Sequence, residues 1–432
     1  MSEKLTVKNV VNINKSTLSS KENWSTLNYL DTGNITENQI DTLKIFQKGE
    51  KLPSRAKRKV EKGTIIYSTV RPNQKHFGYF DTYSDDLVVS TGFATLDIID
   101  PRVNSKYLYY LLTQNSVISQ LQSIGENSTS SYPSIRPEDI GNLSFMFPDI
   151  DIQNKIADIL TSIDKKIQIN NQINQELEAM AKTLYEYWFV QFDFPDQNGK
   201  PYKSSGGKMV YNPELKREIP EGWGVTTFSS WISDNKTGDW GKETSQGNYT
   251  LEVDCIRGAD INGLSGNGKT DMPTRFILEK NKNKLLTDFD IVIVIEISGG
   301  SPTQSTGRIV GISENVLNRF DLPLICSNFC KAVSLKEQET FYNFVYEWKN
   351  LYDNGVLFSW EGKTSGIKNL LFDSFVTNYH IAQPPIDLME QFFDYASSVD
   401  RKIQLLLKQN QELTQLRDWL LPMLMNGQVK VI

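Results

Sequence analysis

The sequence predicts an α+β protein built twice over: two similar mixed α/β domains separated by two long antiparallel coiled-coil helices, an internal pseudo-two-fold repeat. Three observations lead there. Asp164 to Leu177 (DKKIQINNQINQEL) lies over Asp400 to Leu413 (DRKIQLLLKQNQEL) with eight identities in fourteen positions, at an offset of 236. The same offset carries Pro148 onto Pro384, Gly92-Phe93 onto Asn328-Phe329, and Gly125 to Ile135 onto Glu361 to Leu371. Both matched stretches lie in runs with apolar residues at 3-4 spacing, and each run follows a region of short β-branched segments.

The first region, residues 1–147, holds the β-branched run Gly63 to Val70 and further strand-type residues from Leu87 to Ile99, then a helical stretch KYLYYLLTQNSVISQL and a polar loop. A long helix, assigned to 148–194, follows Pro148 and the cap-type Asp151, with a seam at Ile152, Ile156, Ile159, Ile163, Ile167, Ile173, Leu177, Met180 and Leu184. At 1.5 Å per residue, about 40 residues span on the order of 60 Å, which would hold the two globular regions well apart. Residues 195–216, rich in Gly, Pro, Ser and Lys, read as a linker. The second region, 217–383, repeats the order: Asp290 to Ile295 is β-branched, and EQETFYNFVYEWKNLY matches the earlier helical stretch. The second long helix and tail, 384–432, follow Pro384-Pro385 and carry Leu388, Phe392, Tyr395, Val399, Ile403, Leu413, Leu416 and Leu420 on the seam. Asn170 takes a seam position whose counterpart is Leu406, and Gln409 replaces the counterpart of Ile173; such polar residues fix register at a cost in stability.

Composition bounds the function. A chain of 432 residues with 39% hydrophobic side chains has mass for two or three cores. No window approaches the ~18 uncharged apolar residues of a membrane helix, and the start MSEKLTVKNV lacks a signal-peptide core, so a cytoplasmic protein with no membrane partner is expected. Cys255, Cys326 and Cys330 are odd in number and His76 and His380 are far apart, which argues against disulfides and a metal site. The net charge of −6 gives no global nucleic-acid signature, but Lys44 to Lys75 holds ten basic and two acidic side chains, a local +8.

Gly263 to Thr270 (GLSGNGKT) satisfies the P-loop pattern, so a P-loop NTPase with a coiled-coil arm is the alternative reading. Asp271-Met272-Pro273 follows where a P-loop helix should begin, which favours a turn-rich hairpin tip presenting Lys269 and Arg275 to a ligand. No nucleophile elbow, zinc-protease motif, kinase set or amino-methyltransferase motif occurs, so the chain is expected to bind and not to catalyse; a purely structural coiled-coil adaptor is a third reading.

The polar loops carry the binding expectation. After a strand come Arg71, Asn73, Gln74, Lys75, His76 and Phe77, groups that read base edges. Lys57, Arg58 and Lys59 supply phosphate-type charge, and Asn127, Ser128, Thr129, Ser130 and Tyr132 form the loop before the long helix. The second region offers Arg257, Lys269, Arg275, Ser298, Gly299, Ser301, Gln304 and Arg308, with Lys363, Thr364, Ser365 and Lys368 in the later loop.

Two variable regions, each followed by a long helix, resemble the specificity (S) subunit of type I restriction-modification enzymes. The resemblance rests on FPDIDIQNKIADILTSIDKKIQINNQINQELEAMAKTLYEYWF, PPIDLMEQFFDYASSVDRKIQLLLKQNQEL, REIPEGW and GTIIYSTVRPN, and covers essentially the whole chain. The first helix has Pro148-Asp149 in place of a Pro pair, and no IPEGW opens the N-terminal region. The resemblance implies a non-catalytic reader of double-stranded DNA. Residues 1–147 and 217–383 would be target-recognition domains, each reading half of a bipartite asymmetric sequence. Two methyltransferase subunits would bring S-adenosylmethionine, with restriction/translocase subunits joining them, in a prokaryotic cytoplasm; this chain itself would hold no cofactor.

Overall fold

The computed structural model describes residues 3–19, 22–82, 85–128, 131–266, 268, 270–298, 306–364, 366–429 and 431. They divide into two compact units: Met1–Lys166 with Leu413–Ile432, and Ile167–Glu412.

In the first unit one sheet has the order Val11–Ile13, Phe93–Ile98, Ile65–Ser68, Phe77–Tyr79, all antiparallel, with Leu96 opposite both Ile13 and Ile65. Ile65, Ile66, Tyr67, Ala94 and Leu96 are buried, so β-branched and aromatic residues fill the centre of this sheet. The other sheet runs Lys44–Gln47, Thr26–Leu30, Leu87–Ser90, Ala56–Lys59, with Leu87–Ser90 parallel to Thr26–Leu30. Asn104 caps the helix Ser105–Leu112 by accepting from Tyr107 N at 3.0 Å; its residues Tyr107 to Leu112 are all buried. The core is completed by Ile156, Ala157 and Leu160 of the first long helix and by Leu421 and Leu424 of the second.

The second unit repeats this plan. Its first sheet, Ile232–Thr237, Cys330–Leu335, Asp290–Val294, Ile309–Ile312, is again antiparallel throughout. Its second, Thr274–Leu278, Tyr249–Ile256, Leu324–Cys326, again holds one parallel pair. In each unit a two-stranded ribbon ties the start of the domain to the strand before the long helix: Glu3–Thr6 with Ser144–Phe147, and Gly224–Thr227 with His380–Gln383. Among the described residues the second unit has no counterpart of the basic edge strand Ala56–Lys59. The helix Phe341–Asp353 buries Phe344 and Trp348, and Trp348 Nε1 donates to the Gly307 carbonyl at 2.7 Å.

The long helices are Ile150–Tyr185, continued by a π-turn Glu186–Val190, and Ile386–Met425, which carries Pro422 inside its last turns. Within the second unit Tyr185 packs on Phe392 with ring centroids 5.4 Å apart, while Asn170 bonds Asn410, so the helices run antiparallel there. The buried line differs from the apolar reading. Ile152, Ile159 and Met180 are 40%, 37% and 56% exposed, and Leu416 is 44% exposed. Gln153, Leu160, Ile167, Asn174 and Ala181, seven residues apart, are buried instead. Ile156, Ile167, Leu388, Phe392, Val399 and Ile403 of the apolar reading are buried as expected, and the polar Gln153 and Asn174 and the small Ala181 share the seam with them. Gln153 can be buried because its amide is satisfied: Oε1 accepts from Asn104 N at 3.0 Å, and Nε2 donates to the carbonyls of Arg102 and Pro148, each at 2.8 Å.

Residues 195–216 are folded turns. Asp193 accepts from Ser204 N and Oγ, Tyr202 stacks on Phe194 at 4.7 Å, and Met209–Asn212 pairs with Arg217–Pro220.

Candidate nucleic-acid interface

The loop after Ile65–Ser68 is held on three sides. Arg71 (φ 47°) and Lys75 (φ 56°) both take left-handed backbone, a conformation costing a non-glycine residue on the order of 1 kcal/mol or more, and they bracket the single turn Pro72–Gln74. Arg71 N donates to Pro133 O, Ile135 N to Thr69 O (both 2.9 Å), and Asn73 N to Gln122 Oε1 at 3.2 Å. Lys75 Nζ pairs with Glu37 at 2.9 Å, and His76 Nδ1 lies 2.5 Å from the Ile35 carbonyl. Thr69 N donates to Gly92 O; a Cβ on Gly92 would lie 2.7 Å from Thr32 Cγ2, so glycine is needed at this approach.

The result is a rigid, polar edge. Arg71, Asn73, Gln74, Asn127 and Tyr132 are exposed, and the Arg71 guanidinium sits 5.8 Å from the Tyr132 ring centroid, so the structure brings the two predicted loops of this unit together. Asn127 Nδ2 donates to Ser123 O at 2.8 Å, and Ser128 is half-buried. Thr129 and Ser130 lie outside the described residues. Phe77 is buried and stacks on Tyr67 at 5.6 Å, so its side chain builds the core. Lys57 is exposed on the edge strand, Arg58 is half-buried, and Lys59 is bonded to Glu22, whose carboxyl this bond holds below its ordinary range.

The second unit engages its cations differently. Arg257 is bidentate to the buried Asp260, at 2.9 and 3.1 Å. Arg275 is 8% exposed, 4.0 Å from the Trp240 ring centroid and 3.2 Å from Glu243, so it is not presented as a free cation at a hairpin tip. Lys368 is buried against Glu361 at 3.3 Å. Arg308 is half-buried, with its carbonyl accepting from Val294 N at 2.9 Å, and Ser298 is exposed at the end of Glu296–Ser298. Lys269, Gly299, Ser301, Gln304 and Ser365 lie outside the described residues, as do the side chains of Lys363 and Thr364. Trp240, 37% exposed over Arg275, escaped the sequence reading; a lone Trp in the polar run DNKTGDWGKETSQGNY was its only signal.

The P-loop pattern has the wrong surroundings. A short helix, Ile261–Leu264, precedes most of it, and Thr274–Leu278 after it is a strand paired with Tyr249–Ile256. A phosphate-cradling loop instead opens a helix at its Lys-Thr. The three cysteines are free and buried, and burial pushes the thiols of Cys255 and Cys330 up to about 12 and about 11. Among the described residues no three metal-type side chains gather, and no helix is long and apolar enough to cross a membrane.

Two α+β units of one plan, each including segments of the same two long helices, define the class: an internally duplicated, two-domain fold. Residues 2–179 match the family described as the type I restriction modification DNA specificity domain. The HindI type I restriction enzyme specificity subunit of Haemophilus influenzae is 34% identical over 190 residues, 43% of this chain and 40% of that protein. The MjaIX specificity subunit of Methanocaldococcus jannaschii is 26% identical over 412 residues, 93% of this chain and 84% of that protein. The crystal structure of the type I S subunit from M. genitalium shares the fold at a TM-score of 0.52 and 16% identity, over 98% of this chain and 96% of that one. The chain is thus similar to type I specificity subunits over most of its length, and its match to the DNA specificity domain lies in residues 2–179.

Proposed function

We propose that this chain is the non-catalytic DNA-recognition subunit of a type I restriction-modification complex. Each unit reads one half of a bipartite asymmetric target. The observation that carries this reading is duplication with divergence: one topology occurs twice, yet the loop at Arg71–Phe77 and the stretch at 296–308 share no pattern of base-reading side chains. In the first unit Arg71, Asn73, Gln74 and Tyr132 are the base-edge groups and Lys57 a phosphate contact. In the second, the exposed Ser298 is the candidate contact, while Arg257, Arg275 and Lys368 serve their own domain. The long helices set the spacer between half-sites and, with the backs of the domains, dock two methyltransferase subunits that bring S-adenosylmethionine; restriction/translocase subunits join that core.

Sequencing of the methylated motif from two altered proteins tests this. Four residues inserted after Leu177 add roughly 6 Å and about one helical turn, so the spacer should lengthen by one or two base pairs at ~3.4 Å each, with both half-sites intact. Replacement of 217–383 should change one half-site and leave the spacer alone. An insertion that altered the bases read, with spacing unchanged, would refute the division of labour.

A further inference from the structure

Asp164 and Asp400 occupy the same position of the repeat, at the head of DKKIQ and DRKIQ. Each carboxylate joins a long helix to the domain packed on it, through different partners. Asp164 Oδ2 accepts from the Tyr110 hydroxyl, on the buried helix Ser105–Leu112, at 2.6 Å, and Oδ1 accepts from Arg417 of the second long helix at 3.1 Å. Asp400 Oδ2 accepts at 2.6 Å from the Ser313 hydroxyl, and Ser313 itself caps the helix Glu314–Leu317. Asp400 Oδ1 accepts from Gln404 Nε2 at 3.1 Å, and Gln404 Oε1 accepts from Arg319 at 2.7 Å.

The difference has a sequence cause. The repeat counterpart of Arg417 is Ala181, which is fully buried, so no cation stands at that place to meet Asp400. Burial raises the Asp400 carboxyl above its ordinary range and pushes Arg319 down to about 10, and Gln404, which links the two, is buried. A carboxylate taken largely out of water must be matched by donors with fixed geometry, because an unmatched buried charge is strongly disfavoured. Such a group tolerates few orientations of the domain that supplies those donors. The Tyr342 side chain, on Phe341–Asp353, also bonds Asp400. The two anchors therefore hold a recognition domain to its helices at two chemically distinct points: a phenol plus a charge pair in the first unit, and a phenol plus a serine hydroxyl and an amide-relayed arginine in the second.

We propose that Asp164 and Asp400 are positioning residues that fix the attitude of each recognition domain on its helix segments, and so narrow the range of spacer lengths the protein accepts. The proposal rests on the DNA-reading function above. Both carboxylates are bonded within the protein, so the identity of the half-sites is not their property.

The test uses the full chain assembled with its methyltransferase subunits. Duplexes carry both half-sites, with the spacer varied one base pair at a time around the natural length, and binding is measured by competition. The parent protein should prefer one spacer over its neighbours by a factor of ten or more. Asp164→Ala and Asp400→Ala should each cut that factor at least threefold while leaving the penalty for a changed half-site base within twofold. Because an alanine here can loosen the whole unit, Tyr110→Phe and Ser313→Ala, which remove one donor and keep the packing, provide the decisive pair and should shift the spacer preference in the same direction. Asp400→Asn, which keeps an acceptor for Ser313, should restore part of it. Spacer profiles unchanged in Tyr110→Phe and Ser313→Ala overturn the positioning role alone. Altered base preference with an unaltered spacer profile overturns it too. A parent protein indifferent to spacer length overturns this proposal together with the bipartite reading beneath it.

Discussion

Asn170 and Asn174 stand one turn apart on the first long helix, both fully buried, and should respond unequally to the same substitution. Asn170 Nδ2 donates to Asn410 Oδ1 at 2.9 Å, and Asn410 Nδ2 donates onward to Asn171 at 2.8 Å. Among the described residues neither polar atom of Asn174 has a partner, and its repeat counterpart is Asn410. Leucine has the same number of side-chain heavy atoms as asparagine. In Asn174→Leu it removes an unmatched buried amide, worth about 1–3 kcal/mol, without orphaning another group. In Asn170→Leu the same change strands the buried Asn410 carbonyl, a cost of similar size that offsets the gain. The two variants should thus differ by about 2 kcal/mol in favour of Asn174→Leu. For a unit of roughly 250 residues this is a separation of about 4–8 °C in melting temperature. Differential scanning calorimetry of the full-length variants reads it directly. Equal melting temperatures, or Asn170→Leu melting higher, would refute the assignment of the satisfied and unsatisfied amides.

Two further outcomes follow from the geometry. Arg71→Ala should cost ~1–3 kcal/mol of binding and relax one base position, whereas Lys57→Ala, on the exposed edge strand, should weaken all sequences alike and lower the salt slope by about one; titrations against single-base variants at several salt concentrations separate the two. Burial raises the Glu347 carboxyl, which accepts from Tyr185 at 2.8 Å, above its ordinary range. Its contribution to stability is therefore full below the unfolded value near pH 4 and is lost as pH rises through the folded one. Glu347→Gln should flatten that loss, so the melting temperature of the variant relative to the parent climbs with pH above about 4; parallel pH curves would contradict it.

The repeat was legible because it was written in the helices. Eight shared residues between Asp164–Leu177 and Asp400–Leu413 announced the duplication, and the order of strands followed from β-branched runs such as Asp290–Val294. The seam was harder. Isoleucine at 152 and 159 is exposed while Gln153 and Asn174 are buried, and only tertiary hydrogen bonding distinguishes a satisfied buried amide from a solvated one. The same limit applies to the interface. Arg71, Asn73 and Tyr132 meet at an exposed edge as their loops suggested, but Arg275 and Lys368 read identically in the sequence and are buried against Glu243 and Glu361. Charge is visible in one dimension; whether it already has a partner is not. Residues 195–216 were misleading in the other direction, since Gly and Pro mark turns whether or not those turns pack.

The first unit takes Leu421 and Leu424 into its core, more than 250 residues after the strand and helix segments they cover. Synthesis from the N-terminus therefore delivers the parts of this unit first and its closing pieces after the whole of Ile167–Glu412. On the ribosome the second unit can close while the first still exposes the apolar ground beside Ile156 and Leu160. The earlier half of the protein is thus the later to mature, and a nascent chain stalled before residue 413 would offer chaperones and proteases an open N-terminal core beside a finished neighbour.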